Sequence, residues 1–397
     1  MAATTIGKLS ASMSIDFASR MKHIKPFQVM ALLAQAKALE AQGRDVIHME
    51  VGEPDFTSPQ AVVDAGIAAL RQGKTHYTSA LGLPELRQTI ADYYDKHFAQ
   101  KVDAETIVIT PGASGGLQLL MASLLNPGDK VLLTDPGYPA NRNFVHLYSA
   151  EPVSVAVDAS NNFFPSLEQL EQTWDERCKL LIIASPANPT GTVLSSQQLQ
   201  QYIHFIENKQ GYLLVDEIYQ GLEYDQASET AVKRSDRVFV INSFSKYFGM
   251  TGWRIGWMVA PSEWIEGLDR LAQNIYLATS TPAQYAALAA FAPEVLQELN
   301  TRRDELKKRR DFLLQALPQL GFELGYKPTG AFYIYADCRA ITTDSFQFAQ
   351  RLLIEQAVAV TPGVDFGNYQ ANTHVRFAYT TKIERLQQAL ERLQAIV

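Results

Sequence analysis

The stretch Ser243-Phe244-Ser245-Lys246, continued by Tyr247-Phe248-Gly249-Met250-Thr251-Gly252-Trp253-Arg254, follows the apolar run Val238-Phe239-Val240-Ile241. The apolar run predicts a buried strand, so the polar stretch begins where that strand ends. Lys246 stands among aromatic and hydroxyl side chains, and the fixed cation of Arg254 comes eight residues later. The pattern indicates a partly desolvated amine near an anion such as a phosphate, and both effects favour a nucleophilic amine. A strand that ends in a surface lysine is the alternative interpretation.

Similar apolar runs recur along the chain and predict a sheet. The runs cover residues 106–109, 130–133, 152–157, 180–184, 212–215, 238–241 and 255–259. Amphipathic helical material separates most of them, as at residues 195–209. This alternation is typical of a mainly parallel sheet with helices on both faces. Ligands of such sheets bind at the carboxyl ends of the strands.

The length of 397 residues favours two domains. After residue 264 the helices become long and charged, and two further strand patterns, at 331–336 and 374–379, flank a helix near 345–355. We expect an α/β protein whose large domain, residues 51–290, contains a mainly parallel seven-stranded sheet between helices. Residues 291–397 should form a smaller α+β domain, and residues 1–50 an N-terminal arm that contributes to it.

Composition excludes several classes of function. The chain is 47% apolar with a formal net charge of −7, which predicts a globular protein without a basic face for nucleic acid or an anionic membrane. The longest uncharged run, residues 271–293, contains too many polar side chains to cross a bilayer. Residues 1–13 lack the apolar core of a signal peptide, and two cysteines, Cys178 and Cys338, are too few for a disulfide framework. We therefore predict a cytoplasmic protein that binds a small molecule.

A glycine-rich segment, Gly112-Ala113-Ser114-Gly115-Gly116, follows the predicted strand at 106–109 and precedes a helix predicted over 117–125. It matches the G-x-S-x-G turn in which hydrolases place a nucleophilic serine. The same turn also exposes backbone N–H groups at a helix N-terminus, where they bind phosphate together with Ser114. The motif alone leaves both interpretations open. The seven histidines form no HxxxH pair, and we predict no metal site.

Polar or aromatic residues follow three other predicted strands. Tyr138 lies in a Pro-Gly turn, Asn188 begins Asn-Pro-Thr-Gly, and Asp216 ends an apolar run with Tyr219 three residues later. Each has an ordinary structural role available as a turn, cap or packing residue. Together with Lys246, however, they predict a set of functional side chains that meet at one edge of the sheet.

With these motifs in this order, the chain resembles the class I/II aminotransferases, which are pyridoxal-phosphate enzymes of fold type I. The resemblance spans nearly the whole chain. It is carried by Gly52-Glu53-Pro54-Asp55-Phe56, Ser185-Pro186-Ala187-Asn188-Pro189-Thr190-Gly191, Ser243-Phe244-Ser245-Lys246 and His374-Val375-Arg376-Phe377.

The resemblance implies a role for each residue at the cofactor ring. Lys246 would carry pyridoxal 5'-phosphate covalently and move the proton of the substrate's Cα. Asp216 would pair with the protonated ring nitrogen. Tyr219 and Asn188 would hydrogen-bond the ring hydroxyl oxygen, and Tyr138 would stack on the ring. Lys246, Asp216 and Tyr219 are thus the predicted catalytic residues.

The resemblance also implies how the phosphate and the substrate are bound. The phosphate would be held by the backbone at Ala113 and Ser114, by the hydroxyls of Ser243 and Ser245, and by the guanidinium of Arg254. Tyr77 matches a tyrosine that reaches the phosphate from the neighbouring subunit, which implies a homodimer. Arg376, with Asn188 and the backbone at Gly52, would bind the α-carboxylate of an amino acid or 2-oxo acid.

Three hypotheses follow. In the first, the protein transfers an amino group between an L-amino acid and a 2-oxo acid. In the second, the same site works as a pyridoxal-phosphate C–S β-lyase. In the third, Ser114 is the nucleophile of a hydrolase, for which His374 is the late histidine that could act as its base. The sequence does not name the amino donor.

Overall fold

The computed structural model of the chain describes residues 16–226 and 229–397. Residues 1–15 lie outside the described residues. They include residues 1–13, for which we predict no signal peptide, and the start of the predicted N-terminal arm.

The α-helices of the described residues are α1 (Gln28–Ala41), α2 (Gln60–Arg71), α3 (Pro84–Phe98), α4 (Gly112–Leu124), α5 (Pro139–Leu147), α6 (Leu167–Thr173), α7 (Ser196–Lys209), α8 (Ile265–Ile275), α9 (Thr281–Ala289), α10 (Pro293–Ala316), α11 (Ser345–Gln356) and α12 (Ile383–Leu393). The β-strands are β1 (Ile47–His48), β2 (Ile107–Thr110), β3 (Lys130–Asp135), β4 (Glu151–Ala156), β5 (Cys178–Ala184), β6 (Tyr212–Asp216), β7 (Val238–Ser243), β8 (Gly256–Val259), β9 (Tyr333–Asp337), β10 (Val358–Ala359), β11 (Thr361–Pro362) and β12 (His374–Ala378).

Seven strands form the main sheet in the order β2-β8-β7-β6-β5-β3-β4. Strand β8 runs antiparallel to both of its neighbours, and the other pairs of adjacent strands are parallel. Each of the seven predicted apolar runs coincides with one of these strands within two residues. The predicted α/β class with a mainly parallel seven-stranded sheet is therefore confirmed.

The apolar runs are buried because helices cover both faces of the sheet. In β6, Leu213 and Val215 pack into one core cluster and Leu214 packs into another. Successive side chains of a strand point to opposite faces, so a strand between two cores needs apolar residues at every position. This explains why the runs show no alternation of apolar and polar residues.

A smaller antiparallel sheet has the order β11-β12-β9, and β1 pairs in parallel with β10. The pairing of Ile47 with Val358 joins the N-terminal segment to the C-terminal part of the chain. The described contacts thus agree with an N-terminal segment packed on residues 291–397. The boundaries at residues 50 and 290 stay a prediction.

The carboxyl ends of β2, β5, β6 and β7 lie at one edge of the main sheet, and the antiparallel β8 begins at that same edge. Strand β12 brings a further cation, Arg376, to it from the smaller sheet. Along the described parts of the chain, no helix combines the length and the apolar character that crossing a bilayer requires.

Candidate active site

Lys246 lies three residues beyond the end of β7, in a half-buried position. Its Nζ donates a hydrogen bond to the backbone oxygen of Gly52 at 2.6 Å and lies 6.0 Å from the ring centres of Tyr219 and Phe332. Burial lowers the pKa of Lys246 to about 8, against an opposing attraction from Glu53. A desolvated lysine of this kind is neutral in a usable fraction near neutral pH and is therefore able to react as a nucleophile.

Asp216, the last residue of β6, is only 4% exposed. Its Oδ1 accepts a hydrogen bond from the backbone N–H of Ile218 at 3.1 Å. Burial raises the pKa of Asp216 to about 7, although that hydrogen bond and the attraction of Lys246 work in the other direction. A carboxylate with so few partners in a buried place can be stabilised by a cationic ligand group.

Tyr219, in the turn after β6, meets Tyr333 at the start of β9, and their hydroxyl oxygens are 2.8 Å apart. Both rings are buried, and burial raises the pKa of each phenol. A Cβ at Gly52 would lie 2.0 Å from the Tyr333 hydroxyl, so only glycine fits between this tyrosine and Lys246. The two tyrosines therefore hold hydroxyl groups beside the reactive amine.

Arg254 packs its guanidinium against Gly112, at the first residue of α4. A Cβ at Gly112 would lie 2.5 Å from Arg254 Nη2, and Gly112 has a φ of +69°, a conformation that favours glycine. Arg254 Nη1 donates to the backbone oxygen of Thr251 at 3.1 Å and approaches Ser245 Oγ at 3.5 Å. Among residues 16–226 and 229–397, no carboxylate forms an ion pair with Arg254.

The glycine-rich segment differs from its prediction in one respect. Helix α4 begins at Gly112, so residues 112–116 form its first turn instead of a loop before a helix at 117. The physical reason is that Gly112 turns the chain while Gly115 and Gly116 continue the helix close to Pro111 and Ile241. Ala113 and Ser114 therefore present their backbone N–H groups at the N-terminus of a 13-residue helix.

Ser243, the last residue of β7, is buried and accepts a hydrogen bond from the backbone N–H of Ser245 at 3.0 Å. Both hydroxyls lie on the same short segment as Lys246. Together, Arg254, the first turn of α4 and these two hydroxyls make a set of donors suited to a phosphate.

Arg376, on β12, is 4% exposed and points to the same edge of the main sheet. Its Nη1 donates to Asn188 Oδ1 at 2.8 Å, and its Nη2 donates to the backbone oxygen of Glu50 and to Thr361 Oγ1. The remaining donor, Nε, is buried and has no hydrogen-bond partner. A buried guanidinium with a free donor is prepared to bind an anion.

Aromatic rings support the Arg376 guanidinium. Its central carbon lies 4.3 Å from the ring centre of Tyr333 and 4.8 Å from that of Phe366. Such stacking fixes the orientation of the guanidinium. Tyr333, Glu50, Thr361 and Phe366 were not among the predicted site residues. The sequence places Tyr333 inside a predicted strand, where nothing distinguishes it from a packing residue.

One cavity of about 240 Å³ brings six of the predicted site residues together, whereas Asp216 and the candidate phosphate-binding residues do not line it. Its lining includes Gly52, Tyr138, Asn188, Tyr219, Lys246 and Arg376. Burial raises the pKa of Tyr138 to about 12, and its ring centre lies 6.3 Å from that of Phe27. Tyr77 does not line this cavity and is 81% exposed.

The hydrolase hypothesis requires His374 to approach Ser114. Instead, Nδ1 of His374 lies 3.0 Å from the backbone oxygen of Gln370, and its ring stacks on Tyr335. His374 lines a separate cavity with Asp158 and Arg339. His374 is therefore engaged elsewhere and does not serve as a base for Ser114.

Comparison with known proteins decides the family. The sequence pattern of the family described as "Aminotransferase class I and II" matches residues 44–393. The chain belongs to the class I and II aminotransferases.

Three relatives illustrate the range of this family. The aminotransferase is 37% identical over 378 residues to the (5-formylfuran-3-yl)methyl phosphate transaminase of Methanocaldococcus jannaschii, covering 94% of this chain and 98% of the relative. It is 34% identical to the valine–pyruvate aminotransferase of Mycobacterium tuberculosis, covering 93% of this chain and 96% of the relative. The solved aspartate aminotransferase of Thermus thermophilus with maleate superposes with a TM-score of 0.91 at 34% identity, covering 96% of this chain and 100% of that one.

The relatives and the family pattern agree on the activity. The chain is an aminotransferase of the fold type I architecture, and it transfers an amino group. The lyase and hydrolase hypotheses receive no support from these comparisons. The three relatives have different substrates, so they leave the substrate of this aminotransferase open.

Proposed function

We propose that this aminotransferase binds pyridoxal 5'-phosphate in the cavity around Lys246 and moves an amino group between an L-amino acid and a 2-oxo acid. The observation that carries the proposal is the position of Lys246 in one cavity with Arg376, whose buried Nε has no partner. One group is suited to covalent attachment of a carbonyl compound, and the other to binding of a carboxylate.

The residues present fit the cofactor. A phosphate has a suitable place among the guanidinium of Arg254, the N–H groups of Ala113 and Ser114, and the hydroxyls of Ser243 and Ser245. Gly112 keeps this place open, because a Cβ there would collide with Arg254. Asp216 is a buried carboxylate without a cationic hydrogen-bond donor among the described residues, which suits a protonated ring nitrogen.

Three residues would orient the cofactor ring between the phosphate site and Asp216. Tyr219 and Asn188 supply a hydroxyl and an amide for the ring hydroxyl oxygen, and Tyr138 supplies an aromatic face. Pyridoxal phosphate, when bound, supplies an electron sink for the electron pair that remains when the substrate's Cα loses its proton. Asp216 supports this role by keeping the ring nitrogen protonated.

The chain's own residues perform the remaining steps. Arg376 binds the substrate's α-carboxylate with its free Nε, while Asn188 holds the guanidinium in place from the main sheet. Lys246 Nζ accepts the proton from the Cα of the amino acid that gives up its amino group. When the 2-oxo acid receives the amino group, Lys246 Nζ delivers a proton to the Cα of that acceptor. A lysine whose pKa is lowered to about 8 is suited to this exchange, because proton transfer is most effective when the pKa of the base is near the working pH.

We propose that the enzyme acts as a homodimer and in the cytoplasm. The support for the dimer is Tyr77, an aromatic side chain that is 81% exposed in the single chain and so is free to reach the phosphate site of a neighbouring subunit. The support for a reducing compartment is that Cys178 and Cys338 are both free and buried.

The proposal is tested with the purified enzyme and its bound cofactor. We expect a visible absorbance band that disappears in Lys246→Ala and persists in Lys308→Ala, an exposed lysine on α10. Addition of an L-amino acid should change this band and release an equal amount of 2-oxo acid. Absence of any change with every L-amino acid would contradict the proposal, and pyruvate and ammonia formed without an acceptor would indicate the lyase reaction instead.

A further inference from the structure

The walls of the cavity around Lys246 are mostly apolar. Its lining includes the side chains of Phe27, Met30, Val51, Pro139, Ile218 and Phe366. These residues come from five separate segments of the chain. None of them is a proposed hydrogen-bonding partner of the cofactor or of the α-carboxylate, and Phe366 also stacks on Arg376. A side chain that enters the cavity beside them therefore meets hydrocarbon.

Cations are scarce in this cavity. Among the described residues that line it, only Lys246 and Arg376 are positively charged. Both have a place in the proposed reaction, at the cofactor and at the α-carboxylate. Arg142, close to Tyr138 in the sequence, forms an ion pair with Asp135 at 3.7 Å and does not line the cavity. Among the described residues that line this cavity, a second carboxylate on the substrate would find no further cation.

The cavity contains one carboxylate of its own, that of Asp365. Asp365 is 8% exposed, and its Oδ1 accepts a hydrogen bond from the backbone N–H of Gln28 at 2.7 Å, at the N-terminus of α1. This bond joins the loop after β11 to the helix that carries Met30. The carboxylate is thus held in the cavity wall between apolar neighbours.

The loop that carries Asp365 is anchored to the main sheet. Asp135, at the end of β3, accepts hydrogen bonds from the backbone N–H groups of Asn368 at 3.0 Å and Tyr369 at 3.2 Å. A Cβ at Gly367 would lie 1.8 Å from Asp135 Oδ1, so glycine is required for this approach. The position of Asp365 is therefore determined by contacts on both sides, and not by a free loop.

We propose that this site takes L-amino acids with a large, uncharged, apolar side chain, and that Asp365 disfavours side chains that end in a carboxylate. The proposal rests on the function proposed above and adds the class of substrate. Asp365 is a specificity-determining residue in this account, because it contributes a negative charge to the space that the substrate's side chain occupies.

The physical reason is the cost of burying charge. The distal carboxylate of aspartate or glutamate would lose its water in a mostly apolar space and would face a like charge at Asp365. An aromatic or long aliphatic side chain fills the same space, and its transfer from water is favourable because it buries apolar surface. Both effects favour the apolar substrate.

A cationic side chain is less well matched than an apolar one. Burial raises the pKa of Asp365, and the hydrogen bond from the Gln28 N–H and the attraction of Arg376 oppose that rise by compensating part of its negative charge within the protein. The ammonium of a lysine substrate would exchange its water for this single, partly compensated carboxylate and for hydrocarbon walls.

The first test compares substrates on the wild-type enzyme with its cofactor bound. Single turnovers with L-phenylalanine, L-leucine, L-aspartate, L-glutamate and L-lysine are followed by the cofactor's absorbance. We expect the second-order rate constant for L-phenylalanine or L-leucine to exceed those for the three charged amino acids at least about tenfold. A charged amino acid that reacts as fast as the best apolar one would overturn the inference.

The second test measures binding without turnover. Succinate and 3-phenylpropanoate carry one carboxylate for Arg376 but no amino group, so their dissociation constants report binding alone. In Asp365→Asn, the ratio of the two constants should shift at least about tenfold in favour of succinate. Glu384→Gln, an exposed carboxylate on α12, is the matched control and should leave the ratio unchanged. An unchanged ratio in Asp365→Asn would show that Asp365 has no part in the selection.

The outcomes separate the two proposals. If no L-amino acid changes the cofactor's absorbance, the proposed function fails. If the enzyme reacts with aspartate or glutamate in preference, the proposed function stands and only the inference about substrate class fails. The wild-type comparison gives this answer even if the Asp365 variant does not fold.

Discussion

The guanidinium of Arg376, on β12 of the smaller sheet, donates a hydrogen bond from Nη1 to Oδ1 of Asn188, in the loop after β5 of the main sheet, at 2.8 Å. The two residues are 188 positions apart in the chain. This bond links the proposed carboxylate-binding residue to a proposed cofactor-binding residue, so substrate and cofactor are positioned by one connected set of side chains.

The first prediction concerns Arg376→Gln. Loss of the guanidinium should weaken amino-acid binding by about 2–5 kcal/mol, the usual effect of truncating one partner of a buried charged pair. The cofactor's absorbance should persist, because Lys246 and Arg254 are unchanged. The measurement is the dissociation constant of a substrate analogue in the presence of the cofactor. Arg339→Gln, an exposed arginine outside the cavity, is the control, and equal weakening in both variants would contradict the assignment.

The second prediction concerns Asp216 and pH in the cofactor-free protein. Burial raises the pKa of Asp216 from its ordinary value of 3.8 to about 7. A carboxyl group whose pKa is raised by folding binds its proton more tightly in the folded state. Its contribution to stability is fully present below pH 3.8 and is lost as the pH rises through about 7.

Asp216→Asn removes this titration and keeps the shape of the neutral acid. The cofactor-free variant should therefore be more stable than the wild type at pH 8 by roughly 1 kcal/mol or more, with a smaller difference at pH 5. Lys246 titrates in both proteins, and the difference between them reports Asp216 together with its attraction to Lys246. Cofactor binding should change in the opposite direction and weaken, because the partner of the ring nitrogen is lost. A variant that is less stable at pH 8 would refute this explanation.

The third prediction concerns Tyr333→Phe. The Tyr219 hydroxyl would lose the partner that lies 2.8 Å away, and the change should slow the half-reaction about two- to tenfold, the effect of one neutral hydrogen bond. A positioning role predicts, in addition, a shift in the pH at which the cofactor's absorbance changes. Tyr202→Phe removes a buried hydrogen bond to the Pro165 carbonyl and is the matched control. If both variants give the same pH profile as the wild type, Tyr333 only packs.

The fourth prediction concerns Tyr77 and assembly. Light scattering should give the mass of two chains, and Tyr77→Phe should weaken cofactor binding without dissociating the dimer. Mixed dimers provide the decisive measurement. One subunit carries Tyr77→Phe and the other Lys246→Ala, which leaves a functional Lys246 only in the subunit whose neighbour supplies Tyr77. Such dimers should bind the cofactor as tightly at that site as the wild type does. Weak binding there would place Tyr77 in its own subunit's site.

The sequence was sufficient to predict the main sheet, because each strand is an apolar run bounded by turns and is buried on both faces. It also predicted that Tyr138, Asn188, Asp216 and Lys246 meet, since the carboxyl ends of neighbouring parallel strands lie at one edge. In the structure, Tyr138, Asn188 and Lys246 line one cavity and Asp216 lies beside it, attracted by Lys246. The roles of these residues stay predictions.

Other parts of the site could not be predicted, and the reasons are physical. Tyr333 and Glu50 contribute through contacts between distant segments, and a single sequence contains no periodic signal for such contacts. The position of Asp365 in the cavity depends on Asp135 and Gln28, which are 230 and 337 residues away in the chain. The helical start at Gly112 was missed because glycine usually ends helices, whereas here Gly112 turns the chain into α4.

The covalent attachment of the cofactor to Lys246 is the central claim, and one measurement tests it most directly. The enzyme is incubated with pyridoxal 5'-phosphate, reduced with borohydride and digested, and the peptides are analysed by mass spectrometry. We predict that the added mass of the reduced cofactor is found on the peptide that contains Lys246, and that prior incubation with an amino-acid substrate prevents its attachment there. Labelling confined to other lysines, or labelling of Lys246 that substrate does not prevent, would contradict the account.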